Sequence, residues 1–273
     1  MIRLDYYVRR QPSLEQEEFQ ACWLQQHGKL WVKHADVLGL KRYTQVHDWP
    51  EHPLCETWRE MYGANGNAYD GVATACWPSY KVLENALATS EGAAAMAEIL
   101  AHEKTIIDTS SSILSFGIVH PVINPRDKIV ASEDTNVFRC VYFPEALPQY
   151  DLATVQRHWI AVHGGLSQDY CANSPHKRYL QVHAVEYPLA DIMRAERGIT
   201  ANPRHFGHAE AWSSPMEFQH ATLNPRREDI FPLFLADIDA FCDNSRGYFV
   251  AGKEFHLVDE EIYTSPLPQP GDL

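Results

Sequence analysis

An internal duplication constrains this chain more than any other feature. The motif Trp23-x3-His27-Gly28 recurs 136 positions later as Trp159-x3-His163-Gly164. The same offset carries KRYTQVH (Lys41 to His47) onto KRYLQVH (Lys177 to His183) without a gap, and maps Arg3 onto Arg139, Tyr6 onto Tyr142 and Gly71 onto Gly207. Between residues 19 and 47, eleven of 29 positions equal their counterparts, where average residue usage would give roughly two. The 273 residues therefore read as two copies of one unit of roughly 135 residues each. The expected domains are 1–125 and 135–264, joined by the polar, proline-containing stretch from His120 to Asn136.

One copy shows the element order. Ile2, Leu4, Tyr6 and Val8 alternate with Arg3, Asp5, Tyr7 and Arg9, the two-residue period of a half-buried strand. Ser13 with Gln16 resembles a capping-box start, and Phe19, Cys22, Trp23, His27, Leu30, Trp31 and His34 then follow at helical spacing. Lys41 to His47 alternates again, Gly71 to Trp77 reads as a third strand, Ser90 to Asp108 as an alanine-rich helix and Ile113 to Val119 as a fourth strand. The second copy repeats this with strands 137–143, 177–184, 206–212 and 247–258, a helix capped by Asp151 and a helix over 227–242. The order βαββαβ is that of a ferredoxin-like unit, whose sheet carries helices on one face and needs a cover on the other. Sister sheets packed face to face would give an α+β fold, a dimeric α/β barrel closed within one chain, with a cavity or core between the sheets. Asp48 to Tyr69 and Ala184 to His205 are too long for hairpins. Their helical patches (Glu56 to Met61, Asp191 to Arg197) and turn formers (Gly63 to Gly66, Ala201 to Pro203) predict ordered flaps over the barrel mouth.

Composition excludes several classes of function. Twenty-three basic against 36 acidic residues give a net charge of −13, which repels nucleic acid and anionic membranes. No run of about 18 apolar residues occurs, and MIRLDYYVRR lacks the apolar core of a signal peptide, so a cytoplasmic setting without membrane attachment is expected. Six cysteines without a CxxC pair read as reduced thiols. His205-x2-His208, His158-x4-His163 and His27-x6-His34 match no established ligand spacing, and no HExxH, phosphate loop or nucleophile elbow is present. Neither metal nor nucleotide cofactor is expected.

Histidine, with 14 residues, is enriched, and the repeat sorts part of that excess. His27 and His163 share the apolar stripe of their helices. Tyr43, Gln45 and His47 point to one strand face, as do Tyr179, Gln181 and His183. Such a row lines a polar cavity or forms a hydrogen-bonded register between sheets. In a cavity, a phenol beside an imidazole suits proton transfer. His27, Tyr43, His47, His163, Tyr179 and His183 are thus candidate catalytic residues, with Trp23, Trp77, Glu210 and Trp212 as candidate substrate contacts. Glu210 faces Thr74 in the alignment of copies, which suggests one working pocket, and Glu254 is a further carboxylate able to hold a histidine.

Three motifs carry a family resemblance. Phe19, Trp23, His27 and Gly28 (F-x3-W-x3-H-G), then Arg42, Tyr43, Gln45 and His47 (R-Y-x-Q-x-H), and Asp70, Gly71 and Ala73 (D-G-x-A) resemble the EthD-like family of dimeric α/β barrel proteins. The second copy is similar through Trp159, His163, Tyr179, Gln181, His183, Glu210 and Trp212. The resemblance implies cofactor-free acid/base chemistry on a small, flat aromatic or polyketide-like substrate, by a lyase or isomerase that decarboxylates, dehydrates or isomerises. The helix-end histidine, His27 or His163, would move the proton while Tyr43 or Tyr179 binds a developing oxyanion. A non-catalytic carrier of hydrophobic ligands and a haem- or metal-dependent oxidoreductase of the same superfamily are the other readings. Tandem fusion removes the need for homodimerisation to close the barrel and leaves higher homo-oligomers open.

Overall fold

Period-two patterning places the strands close to their expected positions in a computed structural model that describes residues 1–61, 69–125, 129–174, 176–200 and 205–259. The strands are β1 (Ile2–Val8), β2 (Arg42–Asp48), β3 (Gly71–Trp77), β4 (Ile113–Ile123), β5 (Phe138–Ala146), β6 (His176–Val185), β7 (Gly207–Ser213) and β8 (Cys242–Asp259). They form a closed antiparallel barrel in the order β1-β3-β2-β8-β5-β7-β6-β4. Closure leaves none of these strands with an open edge. The first four run β4-β1-β3-β2 and the last four β8-β5-β7-β6, and the two sets meet at β2–β8 and β4–β6. The linker expectation needs correction: His120 to Ile123 continue β4 and pair with β6. Val119, Val122 and Ile123 pack against apolar clusters of the second half, which holds this stretch in the sheet.

Alternation along each strand separates two faces. Ile2, Leu4, Tyr6 and Val8 join Phe19, Trp23, Trp31 and Ile99 in a core between sheet and helices. Tyr7, Val46, Val72 and Ile113 point the other way and meet Val141, Phe143 and Val250 of the second half inside the barrel. Both halves therefore contribute to one lumen.

The repeated motif is an anchoring device. The first helix runs Gln16–Cys22, passes through a π turn at Trp23–His27 and continues as Gly28–Lys33. Its counterpart runs Leu152–His158, Trp159–His163 and Gly164–Ala172. Gln45 Nε2 donates to the Trp23 carbonyl at 3.0 Å and Gln181 Nε2 to that of Trp159 at 3.1 Å. The indoles stack on His47 at 4.6 Å and His183 at 4.7 Å between ring centroids. Space for the indoles comes from two matched glycines. A Cβ on Gly71 would lie 2.5 Å from the Trp23 ring, and one on Gly207, whose φ is +152°, would lie 2.7 Å from the Trp159 ring. Asp151 caps its helix as expected, accepting from Thr154 N at 2.7 Å. The Ser13 capping box does not form. A turn closed by Leu14 N–H to Gln11 O (3.0 Å) precedes the helix, and Glu15 takes the cap position without a side-chain bond.

The flap expectation is met in part. Helices Cys55–Met61 and Pro188–Arg197 form, whereas the turn formers 63–66 and 201–203 lie outside the described residues. Leu54, Cys55 and Trp58 pack into the helix–sheet core of the second half, and Ala190, Met193 and Ile199 into that of the first. Each flap therefore covers the sister half's outer layer, not a barrel mouth, because its apolar residues find a deeper cover there.

The anchoring geometry makes a prediction. Gly71→Ala and Gly207→Ala force a methyl into backbone and indole and should each destabilise by about 1–3 kcal/mol, read by urea unfolding. Gly165, whose Cβ would meet nothing within 4 Å, is the control: its alanine variant should gain about 0.5–1 kcal/mol from helix propensity.

Candidate functional site

The lumen between the sheets holds a network of ion pairs around a small pocket lined by Arg3, Arg42, Thr74, Arg139, Glu210 and Trp212. Arg3 Nε donates to both oxygens of Asp5 at 2.7 and 2.8 Å, and its other nitrogens reach Glu210 and Thr74. Arg139 Nη2 donates to Glu210 at 2.6 Å and its Nη1 to Glu254 at 3.2 Å. Trp212 Nε1 donates to Glu254 at 3.0 Å, and its ring carries the Arg139 and Arg178 guanidiniums at 4.8 and 4.6 Å. All of these ionic groups except Arg178 are buried. Burial alone would raise the carboxyl pKa of Glu210, yet Arg139 and Arg3 hold it well below the usual range. Burial likewise opposes ionisation of Glu254, but a bond from His256 and the charge of Arg139 bring it down to about 2.

Of the expected substrate contacts, Glu210 and Trp212 line the lumen pocket, away from the lining that holds His163. Strand alternation turns Ala209 and Ala211 toward the helices and Glu210 and Trp212 into the lumen, on the opposite face of the sheet. Trp77 is fully buried in the first core and donates to Leu38 O at 2.9 Å.

Among the described residues, one set of side chains has metal-compatible spacing. Potential ligand atoms of Asp5, His208 and Glu210 lie within 4.8 Å of one another. The set does not fit a cation, because both carboxylates already accept from Arg3 and one from Arg139, which places two guanidiniums where a metal would bring further positive charge.

Among the described residues, two further cavities lie between sheet and helices, one in each half. The first is lined by Tyr6, Trp23, His27, Trp31 and Tyr43, together with Glu103 and Arg197. His27 is buried, and burial, with His102 and Arg197 nearby, pushes its pKa down to about 3. Its Nε2 accepts from Trp31 Nε1 at 3.1 Å and lies 3.9 Å from Glu103, while Nδ1 has no hydrogen-bond partner among the described residues. Glu103 is paired with Arg197 at 2.8 Å. Tyr43 is buried, receives a bond from Gln45 Nε2 at 3.2 Å, and stacks on Trp31 at 4.8 Å.

The second cavity is lined by Tyr142, Trp159, His163, Tyr179, Phe234 and Phe241, among others. Here the imidazole has a carboxylate: His163 Nδ1 lies 2.8 Å from Asp237 Oδ2, and His158 Nε2 lies 2.8 Å from Asp237 Oδ1. Burial lowers the His163 pKa against the opposing pull of Asp237. Asp237 is held below the carboxylate range by its two histidines despite burial. Burial raises the phenol pKa of both Tyr179 and Tyr142.

The structure thus brings His27 and Tyr43 to one cavity and His163 and Tyr179 to the other. His47 and His183 belong to neither lining. They sit behind the indoles, bonded to Gln45 Oε1 at 2.9 Å and Gln181 Oε1 at 3.2 Å, and so act in the register row. Sequence reasoning missed Glu103, Arg197 and Asp237. Glu103 did leave a signal, being an acidic residue on the buried stripe Ala95, Met96, Ile99, Ile106 of helix Ser90–Ile106. Asp237 and Arg197 left none, since their partners are 74 and 94 residues away.

Residues 11–110, which include Trp23, His27, Tyr43 and His47, match the family model described as the EthD domain. No curated protein sequence matches this chain. Among solved structures, an anthrone oxidase-like protein aligns over 94% of this chain and 92% of its own at 10% identity, with a TM-score of 0.51. A candidate monooxygenase from Lactobacillus acidophilus aligns over 94% and 93% at 8% identity, with a TM-score of 0.45. Another from Fusobacterium nucleatum aligns over 94% and 92% at 9% identity, with a TM-score of 0.48. At such identities the likeness is one of fold, and the first supports the α+β barrel. No helix among the described residues is long and apolar enough to cross a membrane.

Buried neutral histidines make stability depend on pH. His176, packed among Trp58 and Tyr170, is pushed down to about 3 by burial. The unfolded chain takes up this proton near 6.5 and the folded chain does not, so stability is complete above about 6.5 and falls toward pH 3, by about 1.4 kcal/mol per pH unit for each such group. His176→Phe should remove one proton's worth of that slope in urea titrations between pH 4.5 and 6.5. An unchanged slope would mean that His176 titrates normally in the fold.

Proposed function

We propose that the chain consists of two tandem EthD-like units, residues 1–125 and 135–264, each a ferredoxin-like βαββαβ domain, and that it is a cofactor-free acid/base enzyme for a small aromatic substrate. The second cavity is the reacting one. The observation that carries this reading is the contact of His163 Nδ1 with Asp237 in an aromatic-walled cavity. A carboxylate on Nδ1 fixes the tautomer with the proton there, leaves the Nε2 lone pair as base and stabilises the imidazolium that forms. His27 lacks this arrangement, because Trp31 already donates to its Nε2 and no carboxylate meets its Nδ1.

His163 removes a proton from carbon beside a carbonyl or on an electron-rich ring. Tyr179, a neutral phenol at neutral pH, donates to the oxygen on which negative charge develops. Rings of Trp159, Phe234 and Phe241 form the walls for a flat substrate. Decarboxylation, dehydration and isomerisation of such molecules all share this proton transfer.

Anthrone is a suitable probe, because its C10 hydrogens are acidic and their exchange with solvent deuterium is visible by NMR. The wild-type protein should catalyse exchange, and His163→Ala should lower the rate by 10²–10⁴. Asp237→Asn should lower it as well, and His27→Ala should leave it unchanged. The rate should fall as pH drops below the His163 pKa, itself under 6.5, because the base is then protonated. Full exchange in His163→Ala overturns the histidine mechanism. Binding of anthrone without exchange identifies a carrier protein, and accumulation of anthraquinone identifies an oxidase.

A further inference from the structure

The two flaps meet their sister halves with different chemistry. Flap helix Cys55–Met61 brings Trp58 against the second half's core, whereas flap helix Pro188–Arg197 brings a charge: Arg197 enters the first cavity and pairs with Glu103. The cavity's other walls are apolar or aromatic, with Leu4, Tyr6, Trp23, Trp31 and Leu114 among them. A buried ion pair in such surroundings is weak support for stability. The closed cavity has room for about one water molecule. A ring fits there only if lining side chains move, and the Arg197–Glu103 pair is the charged part of that lining.

We propose that the first cavity is a second ligand site, selective for small aromatic carboxylic acids, and that it binds them together with one proton. The ligand carboxylate takes the Arg197 guanidinium in the bidentate geometry that this pair favours. Glu103, released, turns to His27 Nε2, already 3.9 Å away. His27 takes one proton from solvent at Nε2, in place of the bond it accepted from the Trp31 indole. Before binding, Glu103 and Arg197 cancel and His27 is neutral; afterwards two ion pairs cancel. No buried charge is left bare in either state. The other titratable groups facing His27 are His102, whose ring lies 5.4 Å away on helix Ser90–Ile106, and the phenols Tyr6 and Tyr43 from the sheet. The proposal stands apart from the reading of the second cavity.

The probe is benzoate, titrated calorimetrically into the full chain at pH 7 in phosphate and in Tris, whose ionisation enthalpies differ. The expected result is uptake of about one proton per benzoate, with benzyl alcohol and benzamide binding at least tenfold more weakly. Arg197→Gln should lose at least tenfold in benzoate affinity. Glu103→Gln should keep benzoate binding while proton uptake falls toward zero, because a glutamine cannot stabilise the His27 imidazolium. Asp237→Asn, which disables the second cavity's base, should leave benzoate affinity within twofold. Absent benzoate binding, equal binding of benzyl alcohol, or zero proton uptake in the wild-type protein each overturns the proposal without touching the exchange chemistry of His163.

Discussion

Everything outside the barrel depends on what fills it. Arg3 and Asp5 come from the first half, Arg139, Glu210 and Glu254 from the second, and Glu210 accepts from both arginines. Each buried ion costs several kcal/mol of hydration, which is offset only when every oxygen and guanidinium finds a partner. Separating the halves would leave Arg3 without Glu210, and Arg139 with one carboxylate more than its own half balances by contact. The halves are therefore committed to each other electrostatically as well as through the β2–β8 and β4–β6 ladders. The lumen pocket among these groups is walled by charge, whereas the cavities under the helices are walled mainly by apolar and aromatic side chains.

What the duplication retained and what it released can be separated physically. The tryptophan, glutamine, histidine and glycine of each copy interlock: the glycine admits the indole, the indole covers the strand histidine, and the glutamine ties the π-turn carbonyl to the strand. Loss of any one leaves a clash, a void or an unpaired carbonyl, so both copies keep all four. Cavity groups carry no such mutual obligation, and there the copies differ. One pairs its helix histidine with Asp237; the other leaves it beside an ion pair, Glu103 with Arg197, whose cation is supplied by the sister half.

The repeated strand row shows how one pattern divides between two places. Tyr43, Gln45 and His47 do share one face, and they do form a hydrogen-bonded row. Only Tyr43 reaches the cavity, because the Trp23 ring stands between that cavity and His47. Glu210 is the converse: a lone carboxylate on a third strand is a conspicuous candidate, yet its alternation phase turns it into the lumen, where two arginines hold it.

Sequence by itself determined the repeated motifs, the positions and phase of the strands and the short list of paired histidines, because periodicity and repetition are local or fixed-offset properties. Tertiary structure alone decided which face of each strand is lumen and which is cavity, that flaps cross to the sister half, and that Asp237 and Glu103 rather than Glu210 meet the histidines. Alternation distinguishes two faces without saying what covers them, and a charge's partner is set by helices and flaps that approach from 74 or 94 residues away.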